Sequence, residues 1–310
     1  MIASIRPPEE IDLLHIEPQT AGPRRPVMRW LGGKWVLAPR IIAKFPPHRI
    51  YTEPFCGAAS VLMRKPRSYA EVINDVDSDV CNLFSVLRDE TESKRLIELL
   101  HLTPFAREEF ELAYEPAGDR IEQARRMVVR SYLGFGSESA NVEARTGFRA
   151  NSNRSGTTPA HDWANYPEAL PAIVERLRGV IIENRPAISI LRAHDSEETL
   201  HYLDPPYMPE TRSPKARKGA GGYHRYRHEM DVGDHEDLLD AILDLKGMIV
   251  ISGYASPLYD GRLGDWERIE MDALADGARP RKEVLWLSPS ASNAARRHAA
   301  GPLFNLEAVA

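Results

Sequence analysis

The stretch TLHYLDPPY (residues 199–207) decides the fold, because it joins a buried strand to a turn with chemically useful groups. Residues 199–203 read as a short apolar strand. The two prolines that follow end the strand, since neither can donate a hydrogen bond to a neighbouring strand. In open α/β sheets, ligands bind beyond the carboxyl ends of the strands. The stretch therefore predicts an α/β sheet with a site at Asp204.

The residue types of this turn suit an amine that is conjugated to an aromatic base. Such a nitrogen is a poor nucleophile because its lone pair is delocalised into the ring. The Asp204 carboxylate and the Pro205 carbonyl, in a turn made rigid by Pro206, would accept hydrogen bonds from the amine and free its lone pair. Tyr207 offers a face for base stacking, a contact worth about 1–3 kcal/mol. An ordinary Pro-Pro turn with an aspartate cap and a surface tyrosine is the alternative.

Composition narrows the class of protein. The chain has 310 residues, 43% of them hydrophobic, which is enough for one large domain or a core domain with an insertion. It shows neither a bilayer-spanning apolar run nor the apolar core of a signal peptide, so we expect no membrane association. Two cysteines, Cys56 and Cys81, indicate a reducing cytoplasm and argue against a disulfide framework or a cysteine-based zinc site.

Charge is distributed unevenly along the chain. The net charge of −5 argues against a protein that coats nucleic acid indiscriminately. Basic clusters nevertheless occur at residues 29–49, 125–154 and 212–228, and each can contact phosphates. A solvated basic loop is the alternative for any one of them.

Two segments near the N-terminus predict a nucleotide-like site. RWLGGK (residues 29–34) precedes a helix predicted from Trp35 to about Phe45, and its glycines allow close approach of a ligand to the backbone. A simple loop before a helix is the alternative. EPFCGAAS (residues 53–60) joins a strand to a helix, an arrangement that aims backbone N–H groups at a ligand. Asp75, at the end of the second strand, is placed for a ribose diol, whereas Asp77 and Asp79 are typical helix caps.

Residues 91–171 interrupt the alternation of strands and helices. Thr103-Pro104 predicts the start of a helix to about Tyr114, and a second helix is expected over Arg120–Leu133. A long polar loop follows to about Pro159, and loops of this length are usually functional or disordered. Candidate contacts with phosphates and base edges in this region and in the later basic segment are Arg126, Arg130, Arg145, Phe148, Arg149, Asn151, Arg154, Arg225 and Arg227.

The alternation resumes in the C-terminal half. We predict a helix over residues 167–178, a strand over 180–183 that ends at Asn184, and a mobile flap around the glycines of 219–222. A helix is expected from Asp234, with Asp237 completing a capping box. Strands are expected over residues 248–251 and 283–287, and the latter closes the sheet.

Taken in order, WLGGK (30–34), EPFCG (53–57), ND (74–75) and DPPY (204–207) resemble the Dam-type (D12 class) DNA adenine-N6 methyltransferases. The order is that of their α group, in which target recognition precedes the Asp-Pro-Pro-Tyr motif. The resemblance implies S-adenosylmethionine, double-stranded DNA and a Rossmann-like, mostly parallel sheet with an antiparallel last strand. It requires no metal and implies the cytoplasm of a bacterium or of a phage-infected host. The sequence shows no evident oligomeric partner and does not fix the oligomeric state. The implied organisation is an irregular arm (1–28), a catalytic domain (29–90 and 172–290), a helical target-recognition insert (91–171) and a tail (291–310).

The resemblance also implies roles for individual residues. Asp204, Pro205 and Tyr207 would hold the target adenine. Ala59 stands where the family usually has glycine, and its methyl group is expected to crowd the methionine moiety of the donor. The residues implied in donor binding are Trp30, Lys34, Glu53, Pro54, Phe55, Gly57, Asp75, Asn184 and Asp204.

The implied reaction is direct displacement. The adenine is flipped out of the duplex at a cost of a few kcal/mol, and its N6 attacks the sulfonium methyl group. C5-cytosine methylation is disfavoured because its thiolate usually follows proline, whereas Phe55 precedes Cys56. N4-cytosine, RNA adenine and protein glutamine methylation stay open, although Asp204 favours adenine. A DNA-binding module without turnover is the non-enzymatic alternative.

Overall fold

A computed structural model describes residues 22–143, 145–151, 156–211, 227–275 and 279–300. Its centre is a seven-stranded sheet with the order β3-β2-β1-β4-β5-β7-β6. Strands β1 to β5 run parallel, β7 is antiparallel to β5, and β6 is antiparallel to β7. The predicted fold class is confirmed. The strands are β1 (Ile50–Glu53), β2 (Ala70–Asn74), β3 (Val180–Glu183), β4 (Thr199–Leu203), β5 (Met248–Gly253), β6 (Glu267–Ala275) and β7 (Arg279–Leu287).

Helices cover both faces of this sheet and form the segment between β2 and β3. The α-helices of the described residues are α1 (Ala38–Ile42), α2 (Ser60–Arg64), α3 (Ser78–Arg88), α4 (Glu90–Leu102), α5 (Arg107–Leu112), α6 (Arg120–Leu133), α7 (Pro159–Ala164), α8 (Leu170–Leu177), α9 (Ala187–Ala193), α10 (Val232–Leu243), α11 (Pro257–Arg262) and α12 (Pro289–Ala300). None of the helices described is long and apolar enough to span a bilayer.

The strand order explains where a site can form. β1 pairs with β2 on one side and with β4 on the other. Strands β2 and β3 are thus added on one side of β1 and strands β4 and β5 on the other, so the strand order reverses between β1 and β4. A crevice opens at such a switch point, beyond the carboxyl ends of the strands. Thr52 pairs with His201, which brings Glu53 and Asp204 to the same edge.

The segment between β2 and β3 shares a hydrophobic core with the sheet. The larger core cluster joins Tyr51 of β1 and Phe84 of α3 with Leu96 of α4, Met127 of α6 and Trp163 of α7. A second cluster, which includes Leu203, Ile251 and Trp286, packs beneath α10 and α11. The helices after β2 are therefore fixed to the sheet through α3.

A buried ionic cluster stabilises the opposite, amino-terminal edge of the sheet. Glu71, near the start of β2, accepts from Lys65 Nζ at 2.8 Å and from two nitrogens of Arg176 at 2.6 and 2.9 Å. All three side chains are buried. Buried charges are tolerated when they are paired and hydrogen-bonded, so this cluster ties α2 and α8 to β2.

Two predicted helix starts are wrong. Thr103 does not cap α5: it ends α4, where its hydroxyl donates to Leu99 O at 2.7 Å, and α5 has no side-chain cap. The capping box of α10 lies one turn before the predicted one and joins Asp231 to Asp234. The sequence repeats aspartate at the spacing of a capping box through Asp237, so the pattern alone fits two starts.

Other boundaries also differ from the predictions. The first helix is confined to α1 because Pro39 fits only in a first turn. The helix predicted over 167–178 begins as a 3-10 turn (Pro167–Ala169) and continues as α8. Strand β6 was missed, so β7 lies inside the sheet and β6 at its edge. The predicted flap at 219–222 lies outside the described residues.

Candidate active site

A cavity of about 600 Å³ opens at the carboxyl ends of β1, β2 and β4. This volume is in the usual range for small-molecule sites, roughly 300–1,000 Å³. Asn184 is not on the wall, while Asp204 and Pro206 are. The residues predicted to bind the donor that do line the cavity are Trp30, Lys34, Glu53, Pro54, Phe55, Gly57, Asp75 and Asp204.

The turn after β1 requires glycine at residue 57. Gly57 has φ +47°, and a Cβ atom there would lie 2.4 Å from Trp30 Nε1. Its N–H donates to Asp75 Oδ2 at 2.9 Å. The missing side chain lets the Trp30 indole lie against the turn, and the hydrogen bond fixes the turn to the end of β2.

Ala59 adopts the same left-handed conformation, with φ 47°, just before α2. Its side chain is fully buried in the larger core, and the cavity wall contains its neighbours Ala58 and Ser60 instead. The expectation that this methyl group crowds the ligand is therefore wrong. The substitution places alanine where the backbone favours glycine, at a local conformational cost of about 1–2 kcal/mol.

Asp75 lies at the floor of the cavity, where backbone donors hold it. Its carboxylate accepts from the backbone N–H groups of Gly57 and Asp77, each at 2.9 Å. Burial raises the pKa of Asp75 to about 6 despite these hydrogen bonds. Asn184 supports the same loop from outside, because its amide donates to Asp75 O at 2.7 Å and to Val76 O at 3.2 Å. Asn184 thus positions the loop and does not face the cavity.

Glu53 brings a second buried carboxyl group to the wall. Its Oε2 accepts from Leu62 N at 3.1 Å. Burial raises the pKa of Glu53 to about 8, so the group holds a proton at neutral pH. Glu53 can therefore donate a hydrogen bond into the cavity as well as accept one.

Asp204 is held by a cation and a hydroxyl group. Lys34 Nζ contacts its two oxygens at 2.7 and 2.8 Å and also donates to Gly32 O at 2.8 Å. Ser252 Oγ donates to Asp204 Oδ1 at 3.0 Å. These partners fix the carboxylate at the carboxyl end of β4, on the cavity wall.

Tyr207 completes this cluster. Its hydroxyl accepts from Lys34 Nζ at 2.6 Å and donates to the carboxylate of Glu283. Its ring meets Tyr254 edge-on, with centroids 4.5 Å apart. Glu283 and Tyr254 were not predicted as site residues, because the sequence shows Glu283 only as one polar residue within strand β7.

Comparison with known families agrees with this geometry. The model of the D12 class N6 adenine-specific DNA methyltransferases matches residues 30–244, which is more than half of the chain. The chain belongs to this family. It is thus an adenine-specific DNA methyltransferase, and the family implies S-adenosylmethionine as methyl donor and DNA as substrate.

Two relatives illustrate the similarity. The type II methyltransferase M1.LlaDCHI of Lactococcus lactis subsp. cremoris is 26% identical over 264 residues, which cover 80% of this chain and 88% of that protein. The DNA adenine methylase of Serratia marcescens is 30% identical over 111 residues, which cover 35% of this chain and 41% of that protein.

Two arginines that were predicted to contact DNA have partners inside the methyltransferase. Arg130 is only 4% exposed, and its guanidinium donates to Ala113 O at 2.5 Å and to Ala140 O at 3.3 Å. Arg126 pairs with Glu122 and donates to the carbonyl group of Glu115. Both were candidates for contact with phosphates, but the loops after α5 and α6 cover their guanidinium groups. Both arginines therefore serve the fold.

The polar loop after α6 presents a different set of side chains from the predicted one. Phe148 is half-buried between Phe105 and Phe110 and anchors the loop, so the expectation that it is exposed is wrong. Phe135 is 63% exposed and was not singled out. Of the predicted contacts, Arg145 and Asn151 are exposed, Arg149 is half-buried, and Arg154 and Arg225 lie outside the described residues.

Arg227 lies at the cavity of the methyltransferase. Its guanidinium pairs with Asp77 at 3.2 Å and with Asp79 at 3.1 Å, at the N-terminus of α3. The adjacent His228 also lines the cavity. The segment that follows residue 226 is thereby fixed along one side of the cavity, so Arg227, predicted to contact DNA, lines the cavity and pairs with acids at the start of α3.

Proposed function

We propose that the cavity binds S-adenosylmethionine and that the turn from Asp204 to Tyr207 holds a flipped-out adenine of double-stranded DNA. The observation that carries this proposal is the position of Asp204. Its carboxylate lies on the wall of the cavity, and Asp75 and Gly57 form the floor of the same cavity. A donor and a base amine can therefore meet there.

The charge of the cavity fits a cationic donor. When bound, S-adenosylmethionine supplies a methyl group on a positively charged sulfonium. The basic residues of the described wall are Lys34 and Arg227, besides His228, and both are paired with acids. Besides the protonated Glu53, the acidic residues of the wall are Asp75, Asp77, Glu138, Asp204, Glu229, Asp234 and Asp237. This excess of acid favours the cation over the neutral thioether that remains after transfer.

The residues around the cavity suit the parts of the donor. Asp75, which accepts backbone hydrogen bonds, is placed to accept from a ribose diol as well. The Trp30 indole, which lies against Gly57, offers an apolar face. Protonated Glu53 can donate to an acceptor at the same end of the wall.

The base site works through hydrogen-bond acceptors. The target N6 amine would donate to Asp204 and to the carbonyl group of Pro205, which concentrates its lone pair on nitrogen. Lys34 occupies the Asp204 carboxylate in the structure, so the incoming amine has to share or replace that contact. The carboxylate then stabilises the positive charge that develops on the nitrogen as it takes the methyl group. We further propose that Arg145, Arg149, Asn151 and Phe135 of the loop face the DNA.

The deciding experiment combines methyl transfer with a matched pair of variants. Wild-type protein is incubated with tritiated S-adenosylmethionine and mixed genomic DNA, and the product nucleosides are separated. Label in N6-methyladenine is expected. Asp204→Ala should reduce transfer by about 100–1,000-fold, because the acceptor at the reacting nitrogen is lost, with the fold and DNA affinity retained.

Asp240→Ala, which removes an exposed carboxylate on α10, serves as the control and should leave transfer unchanged. Turnover by Asp204→Ala close to that of the wild type would refute the mechanism. Label only in N4-methylcytosine would show that the target base is cytosine and would overturn the proposed adenine substrate. Label in RNA but not in DNA would overturn the proposed substrate.

A further inference from the structure

We propose that Glu283 is a positioning residue of the target-base site, which acts by holding the Tyr207 hydroxyl and the Lys34 ammonium. The inference rests on the proposed function, in which the turn from Asp204 to Tyr207 receives the base. No motif of the sequence marks Glu283, and it belongs to a strand that is antiparallel to its neighbour β5.

The carboxylate of Glu283, on strand β7, reaches the cluster formed by Lys34, Asp204 and Tyr207. The residue is 3% exposed, and its Oε1 accepts from the Tyr207 hydroxyl and lies 3.5 Å from Lys34 Nζ. Glu283 is not among the residues that line the donor cavity. Burying a carboxylate costs free energy unless it is paired, and the contacts with Tyr207 and Lys34 provide that pairing for Glu283.

The hydrogen bond to Glu283 orients the Tyr207 hydroxyl group. A phenol has one proton, and here the proton points to Glu283. The phenol oxygen therefore presents its lone pairs to Lys34, which donates to it at 2.6 Å. A continuous chain results, in which Glu283 orients Tyr207, Tyr207 orients Lys34, and Lys34 contacts Asp204.

The charges in this chain affect the base as well. Lys34 is shared between two carboxylates, at 2.7 Å from Asp204 and 3.5 Å from Glu283. Without the charge at Glu283, Lys34 would pair with Asp204 alone and compete more strongly with the incoming amine. The Tyr207 ring would also lose the contact that fixes its hydroxyl end. Loss of Glu283 should therefore slow methyl transfer by more than it weakens donor binding, which it can affect only through the Lys34 side chain on the cavity wall.

A double-mutant cycle tests whether Glu283 acts through Tyr207. Single-turnover rates are compared for the wild type, Glu283→Leu, Tyr207→Phe and the double variant. Glu283→Leu keeps a side chain of similar size but removes both acceptor oxygens, and it should slow transfer by about 10–100-fold, the range for groups that orient ligands elsewhere. The double variant should be within about twofold of Tyr207→Phe, because both changes break one chain.

Rate losses that multiply would refute the coupling and assign Glu283 a separate structural role. Glu270→Leu is the matched control, since Glu270 lies on the neighbouring strand β6, where it pairs with Lys282 outside the site. Its rate should equal that of the wild type. Isothermal titration with S-adenosylhomocysteine should show a smaller loss of affinity than of rate for Glu283→Leu, and a loss of affinity as large as the loss of rate would contradict the proposal.

A second readout does not depend on methylation. In a crystal structure of ligand-free Glu283→Ala, the Tyr207 hydroxyl and the Lys34 ammonium should move by more than about 1 Å, beyond the roughly 0.5 Å tolerance of a preorganised site. Unchanged positions would refute the inference even if the enzyme is slowed. If the side chains move but the wild type methylates no DNA, the proposed function fails while the positioning role stands.

Discussion

Replacing Gly57 by alanine tests the construction of the donor cavity most directly. Two costs follow from the structure. Alanine at φ +47° costs about 1–2 kcal/mol relative to glycine. The new Cβ atom would lie 2.4 Å from Trp30 Nε1, about 1 Å inside an ordinary contact of roughly 3.5 Å. Moving a packed side chain to relieve such an overlap costs about 1–3 kcal/mol.

The sum, about 2–5 kcal/mol, should appear in two measurements. Because Trp30 lines the cavity, its displacement should weaken S-adenosylhomocysteine binding at least about tenfold by titration calorimetry. The melting temperature should fall by several degrees. In a Trp30→Ala background, Gly57→Ala should cost only the backbone part, because the overlap is gone.

Ala59→Gly is the matched control in the same turn. It removes a strained alanine at φ 47° but also loses a buried methyl group, worth about 0.8 kcal/mol, so its net effect should stay within about 1 kcal/mol. Donor affinity should not change, since Ala59 is absent from the cavity wall. The reasoning is refuted if Gly57→Ala binds the ligand within about twofold of wild type and melts at the same temperature.

Three further predictions concern charges. Glu71→Ala should lower the free energy of unfolding in urea by about 3–5 kcal/mol, because two buried cations lose their partner, and a loss below about 1 kcal/mol would contradict this. Burial lowers the pKa of His201 to about 4, so as the pH falls the unfolded chain binds the proton before the folded protein does. His201 should therefore lower the free energy of unfolding by about 2 kcal/mol between pH 7 and pH 5, measured as the difference between the wild type and His201→Gln. If the unfolding free energies of the two proteins change with pH in parallel, the prediction is contradicted. Arg227→Ala should weaken donor binding about twofold to fivefold, because the ion pairs with Asp77 and Asp79 are lost. If the variant binds DNA more weakly but binds the donor normally, Arg227 contacts DNA instead.

The sequence predicted the sheet and brought together most of the residues that line the cavity, because both depend on local patterns. Strand β4, for example, ends at the residue before Asp204, as two prolines require. Gly57 and Asp75 were placed by the rule that ligands bind beyond strand ends, and their hydrogen bond joins two such ends.

The residues that were mispredicted depend on contacts between distant segments. Arg130 was expected on a basic surface, but carbonyl groups seventeen residues before and ten residues after it cover its guanidinium. Glu283 lies 76 residues from Tyr207 in sequence, so no spacing rule connects them. Phe148 is half-buried because it packs against Phe105 and Phe110, which lie far from it in sequence, whereas Phe135, which the sequence analysis did not select, is 63% exposed.

The core shared by α3 and the helices after β2 limits how such an enzyme can acquire a new target sequence. Transplanting residues 91–171 from a relative would replace Leu96 and Met127, place foreign side chains against Tyr51 and Phe84, and so disturb the sheet itself. The loop over residues 134–151 is anchored by Phe148 and carries its exposed side chains away from this core. Evolution and laboratory selection should therefore change specificity by loop substitutions, with the helical scaffold inherited as one unit with the catalytic half.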